Sequence, residues 1–200
     1  LLLEDTANRL AEAKELGLDV AAVEDIVGNA HAELSEGKLE EASNLAKEAK
    51  VNLDAVFDEH FREKYLATAE LAERMLFDLK SLGVPTAVVE EKFANATSLF
   101  NDSMIREAYV LIEEVAGEIS RSRGDSLRER AAKAIETAKI VHTRCGELGL
   151  ELSSAEEILI NAQTSFEEGS FEEAFNDAEE AAKLLSEAEE KYLKRDTSAL

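Results

Sequence analysis

The chain has 200 residues, with 44 Asp and Glu against 22 Lys and Arg, and a net charge of −22, a balance that disfavours nucleic acid and anionic membrane as partners. Its single cysteine, Cys145, excludes an internal disulfide framework, and no run reaches the roughly 18 apolar residues of a membrane span. Leu1-Leu2-Leu3 is too short for the apolar core of a signal peptide, so the chain reads as part of a longer protein that starts in mid-repeat.

In chain order, Leu3, Thr6, Leu10 and Ala13 form a helical stripe that ends at Gly17, a suitable residue just past a helix end. A second helix, about 20 to 36, places Val23, Val27, Ala30 and Leu34 on one face and stops at Gly37. From Leu39 to Leu82 there is no Gly or Pro, which predicts one very long helix. Its first part carries a heptad seam of Leu39, Ala42, Ala46, Ala49, Leu53 and Val56, rich in alanine and suited to close packing in a left-handed bundle. The seam breaks across residues 58 to 64 and resumes at Ala69, Ala72, Leu76 and Leu79. From Leu53 to Ala69 a helix turns by about 160° beyond whole turns, so the two stripes are expected on nearly opposite faces.

Everything after Leu82 repeats this plan. A shift of 66 residues aligns Leu16-Gly17-Leu18 with Leu82-Gly83-Val84 and Leu148-Gly149-Leu150, and Glu41-Ala42 with Glu107-Ala108 and Glu173-Ala174, without a gap. The second copy's short helix follows Pro85-Thr86; the third is expected to open on a capping box of Ser153 and Glu156. Tight turns at 36–38, 102–104 and 168–170 make the flanking helices antiparallel. The third copy restates the seam as Phe171, Ala174, Ala178, Ala181, Leu185, Ala188 and Tyr192. By alignment Leu53, Ile119 and Leu185 are equivalent and should all be buried. An Asn recurs at 29, 95 and 161 inside a helix, where Asn is a poor helix former, and a repeated packing or hydrogen-bonding role is expected. At the second junction Gly124 stands where the first has Asp58, and Ser126 with Glu129 could cap a fresh helix, so a break or kink is expected there.

These features predict an all-α, elongated array of three-helix modules, residues 1–60, 67–122 and 126–195, joined by long shared helices. The pattern resembles spectrin-type repeats, in which the last helix of one bundle runs into the first of the next. The 66-residue period is shorter than a spectrin repeat, and Trp is absent. Residues 36–42 and 168–174 also resemble the turn of a tetratricopeptide repeat, although the period does not fit tandem hairpins of 34 residues. The Glu- and Ala-rich repeats are similar to those of long prokaryotic helical proteins.

Candidate chemistry is sparse. His142 and Cys145 have a spacing that could offer a metal two ligands, but they align with Leu10 and Leu76 and with Ala13 and Leu79, so they read as a core pair. The carboxylate pairs, such as Glu40-Glu41 and Glu179-Glu180, fall away from the seam. No phosphate loop or nucleophile triad is present, so no catalytic, cofactor or metal residue is assigned, and no small-molecule substrate is expected. Arg123-Gly124-Asp125 spells an integrin-binding tripeptide at the expected break, and Asn95-Ala96-Thr97 and Asn101-Asp102-Ser103 match the glycosylation sequon. The basic cluster Arg121, Arg123, Arg128, Arg130 and Lys133 could pair with neighbouring glutamates or dock an acidic partner. The expected role is a non-enzymatic spacer or scaffold with protein partners, in the cytoplasm. The alternative is a cell-surface stalk or adhesive segment, if flanking sequence carries a signal.

Overall fold

A computed structural model of the protein describes residues 2–150 and 152–197. Among these there are seven helices and no strand: α1 (Leu2–Glu15), α2 (Ala21–Ser35), α3 (Leu39–Ser81), α4 (Ala87–Asn101), α5 (Ile105–Glu147), α6 (Ser153–Glu167) and α7 (Phe171–Thr197). Leu1 lies outside the described residues. The protein is all-α, and α3 and α5 are each 43 residues long.

The punctuation is regular. Six helices end in the same way, with the second residue past the helix in the left-handed region: Gly17, Gly37, Gly83, Ser103, Gly149 and Gly169, at φ between 63° and 83°. Each of these N–H groups donates to the carbonyl three residues back, and the next N–H to that five residues before it, as in Leu18 to Ala13 at 3.0 Å and Ser170 to Ser165 at 2.8 Å. These paired bonds satisfy carbonyls that the helix leaves open. Left-handed φ costs an ordinary L-residue about 1 kcal/mol or more, which is why glycine fills five of the six places.

The chain divides into two compact units, one of Leu1–Met75 with Ala87–Gly117 and the other of Leu76–Thr86 with Glu118–Leu200. In the first, Leu10 and Ala13 of α1, Val23 and Val27 of α2, and Ala49, Leu53 and Phe57 of α3 share one apolar cluster. In the second, Ala131, Ile135 and Ala138 of α5 meet Leu159 and Ala162 of α6 and Ala174, Ala178 and Ala181 of α7. Leu53, Ile119 and Leu185 are all fully buried, as the repeat register requires. Thr6 occupies the position of Ala72 and Ala138, and it too is fully buried, its hydroxyl donating to the Leu2 carbonyl at 2.9 Å.

Several expectations are corrected. α5 runs unbroken through Gly124, and Ser126 and Glu129 are interior helical residues, not the start of a new helix. One interior glycine costs about 1 kcal/mol relative to alanine, too little to stop a helix whose flanks are buried on both sides. The Ser153 capping box does not form: Leu152 takes the N-cap position with no side-chain cap bond, and Ser153 is already helical. In α3 the seam is rotated, not interrupted. Phe57 and Tyr65 are 3% and 4% exposed and Phe61 is half-buried, so the buried face moves through these aromatics to Tyr65 and Ala72. Counted at about 100° per residue, the stripe turns by about 120° from Ala42–Leu53 to Tyr65–Ala72, not by about 160°. Leu39 and Tyr192 are 68% and 38% exposed despite their seam positions, and Asn29, Asn95 and Asn161 are all exposed, so packing does not explain the recurrent Asn.

Candidate docking site on α5

The five basic residues lie on one helix but not on one face. At about 100° per residue, Arg121 and Arg128 share a face, Arg123 and Arg130 share the opposite one, and Lys133 lies between the two. The Arg123 and Arg130 face is engaged within its own unit. Arg123 reaches Glu172 on α7 at 3.6 Å, and the Arg130 guanidinium sits 4.5 Å from the centre of the Phe175 ring. Lys133 pairs with Glu129 one turn back at 2.7 Å, and this ammonium holds the Glu129 carboxyl below its ordinary range, by hydrogen bonding first and by charge second. Arg121 and Arg128 are exposed. Exposed pairs of this kind add little stability, and of these contacts only those of Arg123 and Arg130 join α5 to α7.

Around Arg123 and Arg130 the surface is hollow. A groove of about 280 Å³ is lined by Asp78, Ser81 and Leu82, by Arg123, Leu127 and Arg130 on α5, and by Glu172, Phe175 and Asn176 on α7. Apart from the two arginines, and Leu82 as a repeat marker, none of these residues stood out from the sequence. The signal that would have found them is the 66-residue shift, which carries Glu12, Phe57, Phe61, Arg106 and Tyr109 onto Asp78, Arg123, Leu127, Glu172 and Phe175.

The equivalent place in the first unit is filled with rings. Phe61 lies 6.2 Å from Phe57 and 5.5 Å from Tyr109 between ring centres. Arg106 covers the Phe61 face at 5.3 Å and pairs with Glu12 at 3.1 Å, while Arg9 lies 5.3 Å over Phe57 and bonds Asp54. Nearby, Tyr65 stacks on Phe100 at 4.2 Å and its hydroxyl is 3.3 Å from that of Thr97. The Tyr109 phenol is pushed up to about 12, by burial first and by its bond to Glu113 second.

The other candidates resolve into structure. Cys145 is buried, its thiol 3.5 Å from the Leu185 carbonyl, and burial, followed by the charge of Glu189, raises its pKa; His142 is half-buried. A thiol in that state is a poor nucleophile or metal ligand. No group of three or more possible metal ligands occurs among the described residues, and none of their helices is long and apolar enough to cross a membrane. Arg123-Gly124-Asp125 is helical and not in a loop, which places its two charges about 200° apart. In the sequons, Asn95 is exposed on α4, where the Thr97 hydroxyl donates to the Phe93 carbonyl, and Asn101 ends that helix. No family model, curated protein or solved structure matches this chain.

Proposed function

We propose that this chain is a non-enzymatic spacer or scaffold segment, built from three tandem three-helix modules in a spectrin-like arrangement and presenting its helical faces to other proteins. The observation that carries this reading is the matched pair α3 and α5. Each is 43 residues, about 64 Å at 1.5 Å per residue, and their first residues, Leu39 and Ile105, are one repeat apart. A helix that closes one module and opens the next gives a joint that resists bending, which a spacer needs and a catalytic pocket does not. The acidic balance keeps such a segment soluble. The adhesive alternative draws no support from a tripeptide held in a helix with its arginine tied to Glu172.

Small-angle scattering tests the reading. A spacer requires a radius of gyration well above the roughly 16 Å of a compact chain of this length. A value near that figure overturns it.

A further inference from the structure

One position of the repeat holds a buried phenol in the second copy and none in the third. Tyr65 is 4% exposed, stacked on Phe100 at 4.2 Å between ring centres, and its hydroxyl donates to that of Thr97 at 3.3 Å. The Arg62 guanidinium covers the same Phe100 ring at 5.2 Å. Residues of α3 and α4 thus make one seat: a phenol, the ring it stacks on, an acceptor for its hydroxyl, and a cation over the ring.

The 66-residue shift carries Arg62, Thr97 and Phe100 onto Arg128, Gln163 and Phe166, and carries Tyr65 onto Ala131. The third copy therefore keeps the cation, the polar partner and the ring, and lacks the phenol. A groove of about 350 Å³ lies there between α5 and α6, lined by Ala132, Ile135, Gln163 and Phe166, with Glu136, Lys139 and Glu167 completing its wall. That volume is in the range of small-ligand sites. Phe171, in the place of Ile105, packs on Phe166 from α7 at 5.3 Å and takes no part in lining the groove. Exchanging Ile for Phe returns less volume than exchanging Tyr for Ala removes, which leaves a deficit beside Phe166. Arg128 is exposed, Gln163 is half-buried, and neither side chain has a partner among the described residues.

We infer that this groove receives a tyrosine side chain of a partner protein, stacked on Phe166, its hydroxyl donating to the Gln163 amide oxygen and Arg128 covering the Phe166 ring as Arg62 covers Phe100. The second copy identifies the occupant, because it shows which side chain this set of groups holds. Stacking, one hydrogen bond and a cation over the ring are the contacts that a phenol uses. Glu136 and Glu167 against the one Lys139 favour an uncharged phenol over a phosphorylated one. The inference rests on the scaffold reading proposed above, in which the partners are proteins.

Titration of the 200-residue chain with the blocked tripeptide acetyl-Ala-Tyr-Ala-amide tests it, followed by NMR of the backbone amides around Phe166. The expected result is saturable binding, about threefold to tenfold weaker for acetyl-Ala-Phe-Ala-amide, the worth of one hydrogen bond. Gln163→Ala should erase that preference, and Arg128→Ala should weaken both peptides about threefold. Neither residue is buried, so far-UV circular dichroism should stay helical in both variants. Ala131→Tyr combined with Phe171→Ile restores the second copy's residues and should abolish binding by filling the groove from within. Should that buried exchange unfold the chain, the two surface variants still decide. No saturable binding, equal affinity for the two peptides, or a preference untouched by Gln163→Ala would overturn the inference. Binding of para-cresol without binding of the tyrosine peptide would overturn it in favour of a free phenol. The radius of gyration reads the spacer proposal separately, since an extended chain that binds no tyrosine refutes only the groove.

Discussion

The first unit's joint around Phe61 and the second's around Leu127 occupy the same repeat positions and are built from opposite materials. Where the first has Phe57 stacked on Phe61 and Phe61 tilted against Tyr109, the second has Arg123, Leu127 and Phe175 around a groove of about 280 Å³. The polar pair differs as well: Arg106 on the later helix meets Glu12 in one, and Glu172 at the equivalent place meets Arg123, the counterpart of Phe57, in the other. The repeat thus conserves geometry and leaves the chemistry of the joint free. Helix spacing is fixed by the small buried residues Ala46, Ala49, Ala108, Ala174 and Ala178, which are indifferent to what fills the joint beside them.

The sharpest way to break the comparison is to remove its two unlike members at one repeat position. Phe57 is 3% exposed, so Phe57→Ala should cost about 3 to 5 kcal/mol, with the loss of its stack on Phe61 and of the Arg9 contact. Arg123→Ala removes a surface ion pair and should cost less than about 1 kcal/mol. Urea denaturation of the two variants measures the difference. Equal losses would mean that the arginine joint is as tightly built as the aromatic one.

A pH series sharpens the same contrast, because Tyr109 can ionise and Phe175 cannot. The folded phenol is pushed up to about 12 from an ordinary value of 10.0. Since the unfolded phenol releases its proton first, the stabilisation is present in full below about pH 10 and is lost as pH rises towards about 12. Tyr109→Phe, which loses the bond to Glu113, should therefore melt slightly below the wild type near neutral pH, and the gap should close or reverse above pH 10. Parallel curves across that range would show that the phenol titrates as it does in the unfolded chain.

Gly124 is the next test, as the counterpart of Asp58. Its φ is not left-handed, and a methyl group added there would meet nothing within 4 Å. Gly124→Ala should stabilise the protein by about 1 kcal/mol, the ordinary difference between the two residues inside a helix. A loss of stability would mean that α5 needs glycine at this point, and calorimetry distinguishes the two outcomes.

That glycine also marks where sequence reasoning ran out. The helices, their turns and the buried Leu53, Ile119 and Leu185 were legible because apolar spacing and glycine position recur three times, so each copy checks the others. The unbroken α5 was not, because glycine followed by a cap-like serine is a local signal worth about 1 kcal/mol, while continuity comes from Ile119, Ala131 and Ile135 packing on either side. The rotated stripe of α3 was missed because Phe57, Phe61 and Tyr65 sit among charged residues and lie four apart, so they precess around the helix and do not extend the heptad seam. The basic residues looked like one cluster because they are close in sequence. Helical spacing separates them, and the partners of Arg123 and Arg130 lie some fifty residues away, at Glu172 and Phe175.

The smallest effect concerns the turn before α5, where Ser103 holds the place of Gly37 and Gly169. At φ 63° its side chain carries the strain of the left-handed region, about 1 to 2 kcal/mol, which glycine does not. Against that, glycine gives the unfolded chain extra freedom worth about 0.4 to 1 kcal/mol. Ser103 is exposed, and the bonds closing the turn, from its own N–H to Phe100 at 3.2 Å and from Met104 to Leu99 at 2.9 Å, are made by backbone alone, so substitution leaves them in place. Ser103→Gly should therefore stabilise by about 0.5 to 1 kcal/mol, and Gly37→Ser and Gly169→Ser should each destabilise by a similar amount. Three matched melting curves decide the point: if all three changes shift stability in the same direction, the turns are not equivalent and the repeat register fails at its loops.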